Sequence, residues 1–228
     1  MLEKGFYLMD CMDAMREFPD KFFELSIVDP PYQGNDAIGI VNSEKQHLHA
    51  ASRKEYKAFD NVKPTQEYFD ELKRVSKNWI VWGGNFFGLS GGVIAWNKHG
   101  TAFGEGEVAI CSTHKSVRFF DFTWNGMIQG NMKNKEERIH SCQKPVALYL
   151  FLLNNYAKQG DKILDTHVGS ASSLIACHRL GFDYWGFELD AEYYKAASER
   201  LAKEQAQQTL FSPEEIYKPQ QQGLRFDE

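Results

Sequence analysis

The sequence predicts an α/β fold built on a mostly parallel sheet. Short apolar runs with strand character alternate with stretches of helical periodicity, the pattern of strands joined by crossover helices. No internal repeat or low-complexity tract interrupts that alternation before the end of the chain. At 228 residues the chain suits one such domain, with a core that buries most of its apolar surface.

In chain order the expected strands are Phe6–Met9, Leu25–Val28, Trp79–Trp82, Val93–Trp96, Glu107–Cys111, Lys162–Asp165 and Tyr184–Glu188. The expected helices are Cys11–Arg16, Gln66–Val75, Val146–Tyr156, Ser172–Leu180 and Ala191–Lys203. Pro145 sits at or near the first turn of the third helix. Gly160 and Gly181 stand where helices should stop. Residues 33–63 break the pattern: they are polar and weakly periodic, an irregular insertion of a length that in compact domains is usually functional or disordered. Residues 112–140 form a second such stretch. The expected organisation is one domain over residues 1–204 with these insertions, followed by a Gln-, Glu- and Pro-rich tail, 205–228, outside the core.

Composition narrows the classes. The first ten residues mix Glu3, Lys4 and Asp10 with apolar positions, so no secretory signal is read there, and no apolar run approaches a membrane span. Cys11, Cys111, Cys142 and Cys177 form no C-x-x-C pair, so neither a zinc site nor a disulfide framework is expected. A soluble, cytoplasmic, metal-free protein is the expectation.

The net charge is −5, and residues 183–228, with 10 acidic and 5 basic side chains, account for all of it. Elsewhere two segments are locally basic. Residues 42–63 carry Lys45, Arg53, Lys54, Lys57 and Lys63 against three acids, and residues 115–138 carry Lys115, Arg118, Lys133, Lys135 and Arg138 against three. They also hold His47, His49, Phe119, Phe120 and Trp124. Both a duplex-binding face and ordinary solvated loops fit that charge.

Three motifs carry chemistry. In Ile27-Val28-Asp29-Pro30-Pro31-Tyr32 an apolar strand runs into an acid, two prolines and an aromatic. Ligands of α/β sheets bind beyond the carboxyl ends of strands. The prolines stiffen the turn and remove two backbone donors, so the Pro30 carbonyl can face a ligand as a pure acceptor. Asp29 adds a second acceptor and Tyr32 a flat face. Two acceptors and a stacking ring suit an exocyclic aromatic amine: accepting both N–H hydrogens draws the nitrogen toward tetrahedral geometry and exposes its lone pair for attack on a sulfonium methyl. A base in such a pocket has left the duplex stack. Taken alone, the tetrapeptide also fits a Pro-Pro turn that closes a strand with Asp29 as a cap, although the amine-holding reading is preferred. The second motif, Lys162 to Ser173, reads as a strand, a small-residue turn and a helix start, with Gly169 permitting close backbone approach and Ser172 capping the helix. The third ends a strand in Glu188, 23 positions beyond Asp165, the spacing at which nucleotide-binding βαβ units place an acid on ribose hydroxyls.

Together these motifs resemble the prokaryotic and phage DNA amino-methyltransferases of the permuted β type, in which D-P-P-Y precedes the cofactor loop. His140-Ser141-Cys142-Gln143-Lys144-Pro145 resembles that family's H-P-T-Q-K-P, Asp165–Ser173 its D-P-F-x-G-S-G-T-T, and Gly186–Asp190 its G-x-E-x-D. Leu8–Cys11 matches the place of its G-D-C, while Trp82–Phe86 and Ile94–Lys98 look like its later strands. The resemblance covers roughly residues 1–203. It implies a Rossmann-like methyltransferase fold: a mostly parallel seven-stranded sheet with one antiparallel strand and circularly permuted motif order.

It also implies roles. Asp29, Pro30, Pro31 and Tyr32 hold the target amine. Asp29, Asp165, Thr166, Gly169 and Ser170 line the methionine part of S-adenosyl-L-methionine, with Gln143 and Lys144 beside it. Glu188 holds the ribose, Asp10 and Cys11 border the adenine, and Leu189 also belongs to the cofactor site. Residues 33–63, with 112–140, take the place of the DNA-recognition segment, which puts Lys45, Arg53, Lys54 and Lys57 against double-stranded DNA. The sequence departs from the family at Met9, Ser141-Cys142, Thr166-His167 and Ala171. His167 is given no proton chemistry.

The implied activity is N6 methylation of adenine in a prokaryotic or phage-infected cell, of the kind found in restriction–modification. Cytosine-N4 methylation uses the same amine chemistry, although those enzymes more often carry serine at the first motif position. RNA methylation and a non-catalytic DNA-binding protein that keeps the fold stay open, as does a homodimer. In the tail, Gln207-Gln208-Thr209-Leu210-Phe211 has the Q-x-x-L-F form of sliding-clamp-binding peptides. The preferred reading there is that Leu210 and Phe211 fold back onto the domain.

Overall fold

Successive side chains of a strand point to opposite faces, so a sheet covered by helices on both sides must be apolar at consecutive positions. The computed structural model describes residues 1–32, 62–100, 104–125, 128–140 and 142–207. Its elements are β1 (Gly5–Leu8), α1 (Cys11–Arg16), β2 (Phe23–Val28), α2 (Gln66–Val75), β3 (Ser76–Trp82), β4 (Gly92–Asn97), β5 (Gly106–Cys111), β6 (Val117–Asp121), β7 (Trp124–Asn125), β8 (Ile128–Gln129), α3 (Val146–Tyr156), β9 (Lys162–Asp165), α4 (Ser172–Leu180), β10 (Asp183–Glu188) and α5 (Ala191–Gln205). All five expected helices are present, α5 running two residues beyond Lys203. Gly181 ends α4 in the left-handed conformation, φ 71°. By contrast α3 ends at an extended Ala157, and Gly160 serves the turn that follows.

One sheet of eight strands runs in the order β1-β10-β9-β2-β3-β5-β4-β6. Among the described residues β5 is its one antiparallel strand, reversed against both β3 and β4. The eighth strand corrects the expectation of seven, and of an irregular 112–140. Residues 117–121 pair in parallel with β4, and β7 and β8 form a small ribbon. An edge strand has one paired neighbour and a half-exposed face, so β6 lacks a clean alternation: Val117 and Phe119 are exposed, while Phe120 packs on Phe151.

The two faces bury separate clusters. Leu25, Ile27, Ile80, Trp82 and Ile163 pack under α3 and α4, while Phe23, Val28, Val81, Leu164 and Phe187 pack under α1 and α2. The crossover from β9 to β10 runs one way along the sheet and that from β2 to β3 the other. Right-handed crossovers therefore put α4 and α2 on opposite faces. The direction reverses between the neighbours β9 and β2, which makes their carboxyl ends the topological switch point where open α/β sheets bind ligands.

No helix among the described residues is long and apolar enough to cross a membrane. Lys45, Arg53, Lys54 and Lys57 lie outside the described residues, as do Gln208–Phe211 of the Q-x-x-L-F segment.

Candidate functional site

Parallel pairing brings the ends of β1, β10, β9, β2 and β3 to one edge of the sheet, and the reversed β5 begins there. Asp29 follows β2 directly, at the switch point. One of its oxygens, Oδ2, pairs with the ammonium of Lys144. The other, Oδ1, is buried and has no hydrogen-bond partner among the described residues. Lys144 is only 4% exposed; its Nζ also lies 3.0 Å from Glu107 Oε2 and 5.2 Å from the Trp82 ring centre. Glu107, on β5, passes its other oxygen to Lys98, just past β4. Four alternating charges thus cross the strand ends: Lys98, Glu107, Lys144, Asp29.

Burial and charge pairing together set the protonation of each group. It pushes the Asp29 carboxyl up, with Lys144 opposing and Glu107 reinforcing. Burial would raise Glu107 as well, but the two lysines outweigh it and hold the group at about 2. Burial disfavours the Lys144 cation, yet the two carboxylates keep its pKa well above the ordinary value.

Tyr32 lies over a bare piece of backbone. Its ring stacks on Phe86, with centroids 5.3 Å apart and planes 9° from parallel. Its hydroxyl donates to Glu107 Oε2 at 3.3 Å. Gly83 sits beneath at φ 65°, where a Cβ would lie 2.3 Å from the tyrosine ring. Pro30 is buried and Pro31 half-buried.

The loop after β9 is held from several sides. Asp165 accepts the His167 backbone N–H at 3.0 Å and the Ser173 hydroxyl; burial lifts its pKa to about 7. Gly169, φ 55°, donates its N–H to Glu188 Oε2 at 2.9 Å, and Glu188 Oε1 accepts the Asp190 N–H at 3.0 Å. Thr166 Oγ1 hydrogen-bonds with the Tyr68 hydroxyl at 2.6 Å and His167 Nδ1 at 2.9 Å. Burial lowers His167 to about 4, so its ring is neutral at pH 7 and packs edge-on against Tyr68.

Ser172 does not cap α4. The cap position is Ala171, left-handed at φ 61° and fully buried, which makes no side-chain cap. Ser172 is already helical, and its hydroxyl meets Ser170 Oγ at 3.0 Å. Left-handed backbone is where glycine costs nothing and alanine is strained. That is the physical meaning of the family's glycine at this position. Arg200 from α5 braces the turn, donating to the Ser170 carbonyl at 2.6 Å and the Ser172 hydroxyl at 2.9 Å; it also pairs with Glu136 at 2.7 Å. Glu136 in turn accepts the first N–H of α3, from Val146.

Other expected positions are structurally committed. Asp10 caps α1 through the Met12 N–H, and burial with the Asp10 charge pushes the Cys11 thiol up to about 12. The Gln143 amide accepts from the Ile139 N–H at 2.9 Å and donates to the Glu137 carbonyl at 3.1 Å, which ties it into its own loop. Leu189 is 70% exposed at the end of β10. No cluster among the described residues could hold a metal ion.

The structure adds residues that motif reading did not single out: Glu107, Lys98, Phe86, Tyr68 and Arg200. Lys98 and Glu107 did carry a signal. Each is a charge at one end of a largely apolar strand, but only the reversal of β5 brings Glu107 to the edge where Lys98 and Lys144 both reach it.

Comparison with known proteins agrees with this architecture. M1.HpyAVI, solved in complex with SAM, superposes with TM-score 0.55 at 17% identity, covering 86% of this chain and 98% of that one. The PvuII DNA methyltransferase, described as cytosine-N4-specific, superposes with TM-score 0.58 at 13% identity over 95% of this chain and 90% of that one. At those identities the likeness shows the fold. In sequence, the type II methyltransferase M.HpaI of Haemophilus parainfluenzae is 37% identical over 71 residues, 31% of this chain; the match spans only 23% of that protein's length. The profile of the N6/N4 family described as DNA methylase matches residues 48–199, well over half of the chain, and the chain belongs to that DNA methylase family.

Proposed function

We propose that this protein transfers a methyl group from S-adenosyl-L-methionine to an exocyclic amine of DNA, the N6 of a flipped-out adenine. The observation that carries the reading is the buried Oδ1 of Asp29, which has no hydrogen-bond partner among the described residues, beside the Tyr32–Phe86 stack at the switch point next to the Asp165–Ala171 loop. A desolvated acceptor without a donor costs stability unless a ligand supplies one. An amine N–H is such a donor.

The donor set fits the cofactor. Glu188 is a carboxylate that keeps acceptor capacity beyond its backbone N–H partners Gly169, Asp190 and Leu189, as a ribose hydroxyl requires. Asp165, Thr166, Gly169 and Ser170 would face the methionine part, and Asp10, Cys11 and Leu189 the adenine. When bound, the cofactor supplies an electrophilic methyl on a sulfonium. Asp29 accepts one amine hydrogen and the Pro30 carbonyl the other, while Tyr32, backed by Phe86, offers its ring to the base. Gln143 serves indirectly, by shaping the loop that delivers Lys144. Recognition of double-stranded DNA, in the cytoplasm, falls to residues 33–63 with Lys45, Arg53, Lys54 and Lys57.

A second reading is cytosine-N4 methylation, favoured by the structural likeness to the PvuII enzyme. Asp29 at the first motif position supports adenine. Sequencing modified bases in DNA from cells expressing the protein tests both. N6-methyladenine at a defined site is expected, absent in Asp29→Ala although that variant still binds the cofactor. N4-methylcytosine instead establishes the second reading. No modified base together with no cofactor binding overturns both.

A further inference from the structure

Resting on the amine-methylation reading, we propose that Glu107 is a positioning residue: it holds Lys144 from the side opposite Asp29, which leaves Asp29 Oδ1 free for the target amine. The argument is geometric. A buried ammonium seeks full pairing, because an unpaired buried charge is costly. With one carboxylate beside it, Lys144 would settle across both oxygens of Asp29. A second carboxylate, Glu107 Oε2 at 3.0 Å, takes up donors that would otherwise close on Asp29. The same Oε2 accepts the Tyr32 hydroxyl at 3.3 Å, so one carboxylate sets both the acidic and the aromatic contact of the target base. Lys98 on Glu107 Oε1 keeps Glu107 from swinging away.

The charges make the idea testable with opposite signs. Asp29 is faced by Lys144 from the segment before α3, Glu107 from β5 and Lys98 from the end of β4; it also couples to Asp165 of β9, Tyr68 of α2 and Tyr149 of α3. The four-charge chain is neutral as built. Removing Glu107 leaves it at +1 and stabilises the Asp29 anion. Removing Lys98 leaves it at −1 and does the reverse.

The experiment measures steady-state methylation of DNA against pH for the full chain, its Glu107→Gln variant and its Lys98→Met variant, with cofactor affinity by calorimetry. Glu107→Gln should lower kcat by about 100-fold, the cost of misplacing a reacting group by an ångström. Cofactor affinity should fall by no more than about fivefold, since the Glu107 carboxylate touches Tyr32, Lys98 and Lys144 and no residue of the loop after β9. The acid limb of kcat should move to lower pH in Glu107→Gln and to higher pH in Lys98→Met. The limb shifts report the charge each variant removes, and the loss of kcat with cofactor affinity largely kept reports the positioning. Should Glu107→Gln fail to fold, Glu107→Asp decides: it keeps the charge but withdraws the carboxylate from Lys144, so kcat should fall by about 10-fold with the acid limb unmoved, and near-native kcat overturns the inference. An active wild type whose variants keep near-native kcat, or shift their limbs in the same direction, overturns the inference and leaves the methylation reading standing. A wild type that methylates no DNA amine overturns the reading itself.

Discussion

Gly169 donates its backbone N–H to the carboxylate of Glu188, at 2.9 Å, and so ties the loop after β9 to the end of β10. One acid thereby shapes the loop and keeps acceptor capacity for a ligand. Glu188→Gln replaces an accepting oxygen with an N–H₂ donor, so one of the Gly169 and Asp190 amides loses its partner. A charge-assisted hydrogen bond is worth about 1.5–3 kcal/mol, which corresponds to a roughly 10- to 100-fold loss of affinity. Calorimetric titration with S-adenosyl-L-methionine should show that loss. Native affinity would remove Glu188 from the cofactor site.

Gly83 makes room for Tyr32. Gly83→Ala places a Cβ where the ring now lies and puts alanine at φ 65°. The ring must move or the backbone must flip. Methylation should fall by about 100-fold, as for other misplacements at a reacting centre, with cofactor affinity retained. Parallel loss of both would mean that the substitution disrupts the fold instead.

Ala171 tests the left-handed turn. Glycine there relieves strain of about 1–2 kcal/mol but gives up a buried methyl and gains unfolded-state entropy. These terms nearly cancel, so Ala171→Gly should change stability by no more than about 1 kcal/mol. Ala171→Val keeps the strain, adds β-branching where φ is positive, and overpacks a fully buried site. It should cost about 3 kcal/mol in urea denaturation. Equal costs for the two variants would show that backbone conformation is not what matters at this position.

His167 contributes a stability that depends on pH. Burial lowers its pKa from the ordinary 6.5 to about 4, so between those values the unfolded chain binds a proton that the folded chain refuses. Its contribution is fully present above pH 6.5 and is lost as pH falls through 4. Asp165, raised to about 7, acts in the opposite sense, which makes the wild-type profile a sum of opposing slopes. The difference between wild type and His167→Phe isolates the histidine. That difference should shrink by about 1.4 kcal/mol per pH unit between pH 6 and 4.5. A constant difference would mean that the ring takes up its proton in the folded state.

Much of the fold is legible in the sequence because its central elements obey a single period. Ile27–Val28 and Ile163–Leu164 put apolar side chains on both faces, as the centres of buried parallel strands do, and α3 begins directly after Pro145. Val117–Asp121 escapes because an edge strand is stabilised by one neighbour and by Phe120 packing on Phe151, neither of which leaves a period. Ser172 misleads for a related reason: a serine before a helical run is a cap signal, but the left-handed Ala171 starts the helix one residue earlier.

The site divides in the same way. Asp29, Asp165 and Glu188 can be singled out from sequence because each is an acid at the end of an apolar run, a local feature. Strand order lies beyond local reading, since pairing joins β9 to β2 across more than a hundred intervening residues. Only the tertiary structure decides that β5 runs backward, that Glu107 therefore meets Lys144, and that one oxygen of Asp29 has no partner among the described residues. Local chemistry determined which groups stand at the strand ends. Long-range pairing and burial determined which of them touch, and so which charges are spent on one another and which acceptor is left for a substrate.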